Sequence, residues 1–209
     1  MACRPAGARV VVRASEGRLG AVAARLVVTG SALILALSVG VGVATAATTF
    51  PDRAGDVKGA GGPDLTSITV SDTATTVTFS VRFAKAPPLR VNAAEKWIDM
   101  LLIGVDVPPL GPRPTPSGWR GVDFVLGLHG SQTAVRFRKM DSTVVEHRKL
   151  VVTGAALSFS IPRAKLGSPA WFDFSVAAAR ETEETGQGGG EDYAPASGAF
   201  RYRLTRAPG

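Results

Sequence analysis

The chain has 209 residues with a net charge of +7, two histidines and one cysteine. A single cysteine excludes a disulfide scaffold, and the length is that of one domain once a targeting segment is removed. The charge belongs largely to the N-terminus, so it gives nucleic-acid binding little support.

That N-terminus has the form of an export signal. Arg4, Arg9, Arg13, Arg18 and Arg25 precede an apolar run over residues 26–43, and Ala44-Thr45-Ala46 supplies the small residues of a cleavage site. A start near Val22 would give the same mature protein. Residues 1–46 are therefore expected to be a signal peptide and residues 47–209 one domain, secreted or held at the cell surface. The alternative is an uncleaved anchor, because residues 26–43 approach the roughly 20 needed to span a bilayer. Gly30, Ser31, Ser38, Gly40 and Gly42 within the run favour cleavage, which leaves no membrane span. Cleavage after Ala46 would leave 163 of the 209 residues and remove Cys3, and losing five arginines and one glutamate lowers the net charge from +7 to +3.

The next segment, residues 48–63, is rich in turn formers and reads as a loop. Asp52 and Asp56 flank Gly55, whose conformational freedom allows a tight turn that brings both carboxylates toward one point. Calcium takes six to eight oxygens from flexible loops of this kind. Turn capping is the competing reading for an isolated pair.

Strands follow. Residues 65–71 and 75–84 form a hairpin across Asp72-Thr73-Ala74, and the alternation of Val77, Phe79, Val81 and Phe83 with polar residues marks a half-buried antiparallel strand. Residues 85–94 are a proline-containing connection. Residues 97–107, WIDMLLIGVDV, are apolar enough for a central strand, and the proline-rich loop after it returns through Trp119 to a strand at 121–126. Asp106 and Asp123 thus sit near the two ends of one loop and can approach if their strands are neighbours. Residues 132–139, 143–149, 155–161, 171–179 and 199–204 continue as strands, with one short helical turn at 162–167 and an acidic, glycine-rich loop at 181–190. Roughly nine strands and almost no helical periodicity predict an all-β, antiparallel sandwich of jelly-roll type.

The order FPDRAGDVKGAGGPDLTSITVSD, an apolar strand ending in VDV, GWRGVDFVLGL, LSFSIPRAKLG, FDFSVAA and DYAPASGAF resembles the type 9 carbohydrate-binding modules and DOMON-like β-sandwiches of secreted bacterial proteins. The resemblance spans the mature chain. Its opening D-x-x-G-D and P-D-[LI] signature stands here as Asp52, Gly55, Asp56 and Pro63-Asp64-Leu65, while the later D-x-D and G-x-D elements stand as Asp106 and Asp123. One acid of the D-x-D element is missing. The resemblance implies a calcium site drawn from Asp52, Asp56, Asp64, Asp106 and Asp123, and a polysaccharide or cell-envelope polymer as ligand.

Sugar stacking needs an accessible aromatic face. Trp119, in a loop beside Arg120, is the candidate, whereas Trp97 and Trp171 read as core or sheet-edge residues. Haem binding in such sandwiches uses Met and His ligands. Met100 in an apolar strand reads as core filler and His129 as a lone strand-end histidine, so the residues argue against haem. Catalysis has little support, since no G-x-S-x-G, H-E-x-x-H or cysteine nucleophile occurs and adjacent Glu146 and His147 would face opposite sides of a strand. The expected function is a non-catalytic binding module. The alternative is a cell-envelope structural or protein-interaction domain that binds neither sugar nor metal.

Overall fold

A computed structural model describes residues 46–108, 122–130, 132–140, 144–182 and 189–205. Thirteen strands occur among them: β1 Ala46–Pro51, β2 Leu65–Asp72, β3 Thr76–Phe83, β4 Val91–Asn92, β5 Trp97–Asp106, β6 Phe124–His129, β7 Ala134–Lys139, β8 Val144–Lys149, β9 Val151–Thr153, β10 Ala156–Pro162, β11 Trp171–Thr182, β12 Glu191–Ala194 and β13 Phe200–Arg203. One 3-10 turn, Arg163–Leu166, follows β10. Residues 1–45 of the signal-like segment and the expected ligand residues Trp119 and Arg120 lie outside the described residues. Among the described residues, no helix is long and apolar enough to cross a membrane.

The strands form two antiparallel sheets packed face to face, as an all-β sandwich requires. One sheet has the order β1-β2-β3-β10-β9, and the other β12-β11-β5-β6-β7-β8, with β13 pairing β11 and β4 pairing β5. All nine strands expected from the sequence are present. The four others, β1, β4, β9 and β12, are two to six residues long. Each lies at the margin of a sheet, where partner hydrogen bonds rather than a visible alternation of side chains define the strand. β1, for instance, lies where the sequence reads partly as loop, yet pairs with β2 from Ala46 opposite Asp72 to Pro51 opposite Ser67.

Alternation decides which face is buried. On β3, Val77, Phe79, Val81 and Phe83 turn inward, and on β11 Phe172, Phe174, Val176 and Ala178 do the same. Aromatic rings join the sheets, with centroids 5.7 Å apart for Phe79 and Phe174 and 5.1 Å for Phe50 and Phe174. Each such side chain contributes roughly 1.5–3 kcal/mol by leaving water, which suffices to hold a sandwich without cross-links. The turn between β2 and β3 is closed locally, Thr73 Oγ1 accepting from the amides of Thr75 and Thr76.

Three buried acids at the margins of this core are matched with arginines. Asp72 meets Arg163 at 3.2 Å, Asp99 meets Arg180 at 2.9 Å and Asp173 meets Arg201 at 2.8 Å. Two of those arginines also cover tryptophans, the Arg180 guanidinium lying 3.5 Å from the centre of the Trp97 ring and that of Arg201 3.7 Å from Trp171. Among the described residues, the cluster of Asp52, Asp56 and Asp192 has no such partner.

Candidate metal centre

The segment between β1 and β2 does not lie free. Asp52 N donates to Thr66 O at 3.0 Å, and Lys58 and Glu191 exchange both backbone hydrogen bonds at 2.7 Å, so the segment docks along the start of β12. Gly190 N donates to Ala60 O at 2.9 Å, and the backbones of Gly62 and Gly190 approach so closely that a Cβ on Gly62 would stand 2.2 Å from Gly190 O. Only glycine fits there. The consequence is that a residue far along the chain is delivered to the Asp52–Asp56 turn.

That residue is Asp192. It stands opposite Ala178 in the β11/β12 ladder, on the inward face, and is almost wholly buried. One oxygen each from Asp52, Asp56 and Asp192 lie within 4.8 Å of one another. Asp64 shapes the site from outside this triad: both its oxygens accept from Gly55 N at 3.0 Å, and Gly55 has the positive φ of 83° that the turn needs. Asp192 Oδ2 in turn accepts from Leu65 N at 2.6 Å.

The electrostatics are those of crowded, uncompensated anions. Burial pushes the Asp52 carboxyl up from 3.8 to about 7, with the charges of Asp192, Asp56 and Asp64 adding to the push and the Arg53 amide opposing it. Burial likewise raises Asp192 to about 6, against the Leu65 amide and with the charges of Asp56 and Asp64. Oxygens Asp52 Oδ2 and Asp56 Oδ1 are buried with no hydrogen-bond partner among the described residues, and no cation there pairs with the triad within 4.0 Å. Buried polar oxygens are normally satisfied. A hard divalent cation fits this donor set, since carboxylates are its preferred ligands and backbone carbonyls or waters complete its shell. A cavity of about 150 Å³ lined by Asp56, Lys58, Glu191, Asp192, Tyr193 and Ala196 gives solvent access to two of the three acids.

The structure therefore unites Asp52 and Asp56, sets Asp64 beside them as the group that fixes their turn, and adds Asp192, which carried no role in the sequence reading. Asp106 and Asp123 lie elsewhere. β5 and β6 are indeed neighbours, and Asp123 Oδ2 accepts from Val107 N at 2.7 Å. However, Asp106 pairs in register with Asp173, five residues along β11 from the partner of Asp192 and on the opposite sheet face. At the strand rise this is roughly 17 Å away.

The remaining sequence candidates are placed as follows. Trp97 and Trp171 each have an arginine on one face, and Trp97 Nε1 donates to Glu95 at 2.7 Å. Met100 does not fill the core. It lies half-buried on the outward face of β5, directly opposite His129, so the two stand side by side instead of facing each other across a space. Glu146 and His147 do face opposite sides of β8, Glu146 opposite Phe137 and His147 opposite Arg136.

Comparison with models of known protein families finds no match to the chain, and comparison with curated proteins finds none either.

Proposed function

We propose that this chain is an exported, non-catalytic binding module of the carbohydrate-binding type that its sequence resembles, with one end of the sandwich held together by calcium. The observation that carries the metal part is the contrast among buried acids. Asp72, Asp99 and Asp173 each have an arginine, whereas Asp52, Asp56 and Asp192 converge without a cation and with buried oxygens unsatisfied among the described residues. An ion in that position bridges the β1–β2 segment to β12, and so ties the edge of one sheet to the edge of the other. Its role is structural: it fixes the loops at that end of the sandwich as a rigid support for a ligand surface. The binding function itself rests on the resemblance and on the compact sandwich that supports it.

The test is thermal unfolding of the protein after chelation, with calcium then titrated back. Calcium at 100 times its Kd stabilises a folded state by ~2.7 kcal/mol, and for a domain of this size that raises Tm by roughly 5–10 °C. Asp192→Asn and Asp56→Ala should each abolish the rise. A Tm indifferent to calcium, magnesium and manganese would remove the metal centre. Retention on a polysaccharide panel tests the binding role, and association with envelope preparations without retention on any glycan would favour the structural alternative.

A further inference from the structure

The outward face of the eight-stranded sheet ends, at β7 and β8, in a group of cations that the rest of the described molecule leaves unneutralised. Alternation turns Val135 and Phe137 into the core and Arg136 and Arg138 to solvent. On β8, Arg148 points to the core side, where it is held by Glu146 at 3.2 Å and the Ser160 carbonyl at 2.7 Å, so His147 and Lys149 point outward. Register places His147 directly opposite Arg136 and Lys149 opposite Ala134, while Lys139, paired with Phe124, belongs to the other face of β7. Side chains on this face are spaced about 7 Å along a strand and about 4.8 Å between strands.

Like charges so disposed repel one another and cost stability. Elsewhere the chain answers its buried and half-buried arginines with carboxylates, as at Arg163, Arg180 and Arg201. Here Arg136, Arg138 and Lys149 are all exposed, and none forms an ion pair among the described residues. A concentrated field of one sign on a flat surface attracts a polymer of the other sign.

We infer that the outward face of β7 and β8, through Arg136, Arg138 and Lys149, is a docking surface for an acidic, carboxylate-bearing polysaccharide. The polymer class rests on the carbohydrate reading above, while the surface itself is independent of the metal centre. Nucleic acid fits less well, because among the described residues no aromatic side chain stands between these cations for bases to stack on. An anionic membrane also fits less well, since the exposed large apolar side chains near the stripe among the described residues are Met140, Val151 and Val152, with no aromatic ring or leucine for insertion.

The experiment measures binding of the full chain, in EDTA and at low salt, to polygalacturonate, neutral dextran, oligothymidylate and phosphatidylglycerol vesicles. Polygalacturonate should bind most tightly, with affinity falling steeply as salt is added. Arg136→Gln/Arg138→Gln/Lys149→Gln should weaken that binding at least tenfold with Tm unchanged. Arg82→Gln/Lys85→Gln/Lys165→Gln, which removes the same charge at other exposed sites, should retain it. Equal weakening by the two triple variants, retention by the first, or tighter binding to oligothymidylate or vesicles overturns the inference. Binding to dextran but not to polygalacturonate overturns it while leaving the carbohydrate reading standing. If calcium-loaded protein binds no glycan at all, both are lost.

Discussion

Asp72 and Asp52 occupy opposite ends of the segment that pairs β1 with β2, and both lie against the sandwich, yet their surroundings differ in every respect that sets the cost of a buried carboxylate. Asp72 accepts from the Tyr202 hydroxyl and the Thr205 hydroxyl at 2.6 Å, from the Thr205 amide at 3.0 Å and from Arg163 at 3.2 Å. Its donors come from the turn after β10, from β13 and from the segment that follows β13, so one carboxylate at the end of β2 ties remote pieces of chain together. Burial and the bond to Asp72 hold the Tyr202 phenol well above its ordinary range, so that it stays a donor. Around Asp52 the order is reversed: acids face acids, and a buried oxygen has no donor among the described residues. A fully satisfied carboxylate stabilises the fold by itself, whereas a crowded, unsatisfied one needs a proton or a metal ion to become favourable.

The largest expected effect lies at the satisfied site. Asp72→Ala takes the acceptor from the buried Tyr202 hydroxyl and leaves the buried Arg163 charge with only the Thr73 and Thr205 carbonyls, and breaking a buried pair from one side costs about 3–5 kcal/mol. Urea denaturation should show a midpoint shifted by that amount with calcium and without it. A loss below about 1 kcal/mol would mean that the network is incidental.

The next effect separates the clusters by pH. Asp52 is raised from 3.8 to about 7 and Asp192 from 3.8 to about 6. Between the unfolded and folded values the folded chain keeps protons that the unfolded chain has released, so stability present at low pH is lost as pH rises through this window. In chelator the fall should be about 1–2 kcal/mol in total, after allowance for screening by the solvent that the adjoining cavity admits. Calcium takes the place of the protons, so its affinity should rise with pH and saturating calcium should flatten the profile. Chelated protein whose stability rises between about pH 5 and pH 7.5 would contradict the crowding of these acids.

How much of this was legible in the sequence follows from the range of each interaction. Val77, Phe79, Val81 and Phe83 announce β3 because a strand's period is local, and the turn chemistry of Asp52-x-x-Gly55-Asp56 is equally local. Asp192 sits in a four-residue strand with no pattern of its own, and it reaches Leu65 N across 127 positions. The signal that existed was its parity: Asp192 and Ala194 face in while Glu191 and Tyr193 face out, a pattern readable only once the partner strand is known. The Asp72–Tyr202 bond, 130 positions apart, is hidden for the same reason. Asp106 and Asp123 illustrate the converse, since lying at the two ends of one loop brought their strands together but left them on a different part of the sheet from the triad.

The smallest predicted effect is the most discriminating, because its sign changes. Asp52→Asn keeps a side-chain oxygen in place while removing one of the mutually repelling charges and the cost of burying it. In chelator at about pH 8, this substitution should therefore stabilise the fold by about 0.5–1 kcal/mol. In saturating calcium the same change removes a charged ligand, so the variant should unfold below the parent protein. Asp72→Asn offers no such reversal, since its amide would turn donor against donor whatever the metal content. Equilibrium unfolding of both variants in EDTA and in calcium reads the comparison directly. If Asp52→Asn destabilises in EDTA as Asp72→Asn does, the opening loop is a hydrogen-bonded turn like any other and its acids require no ion.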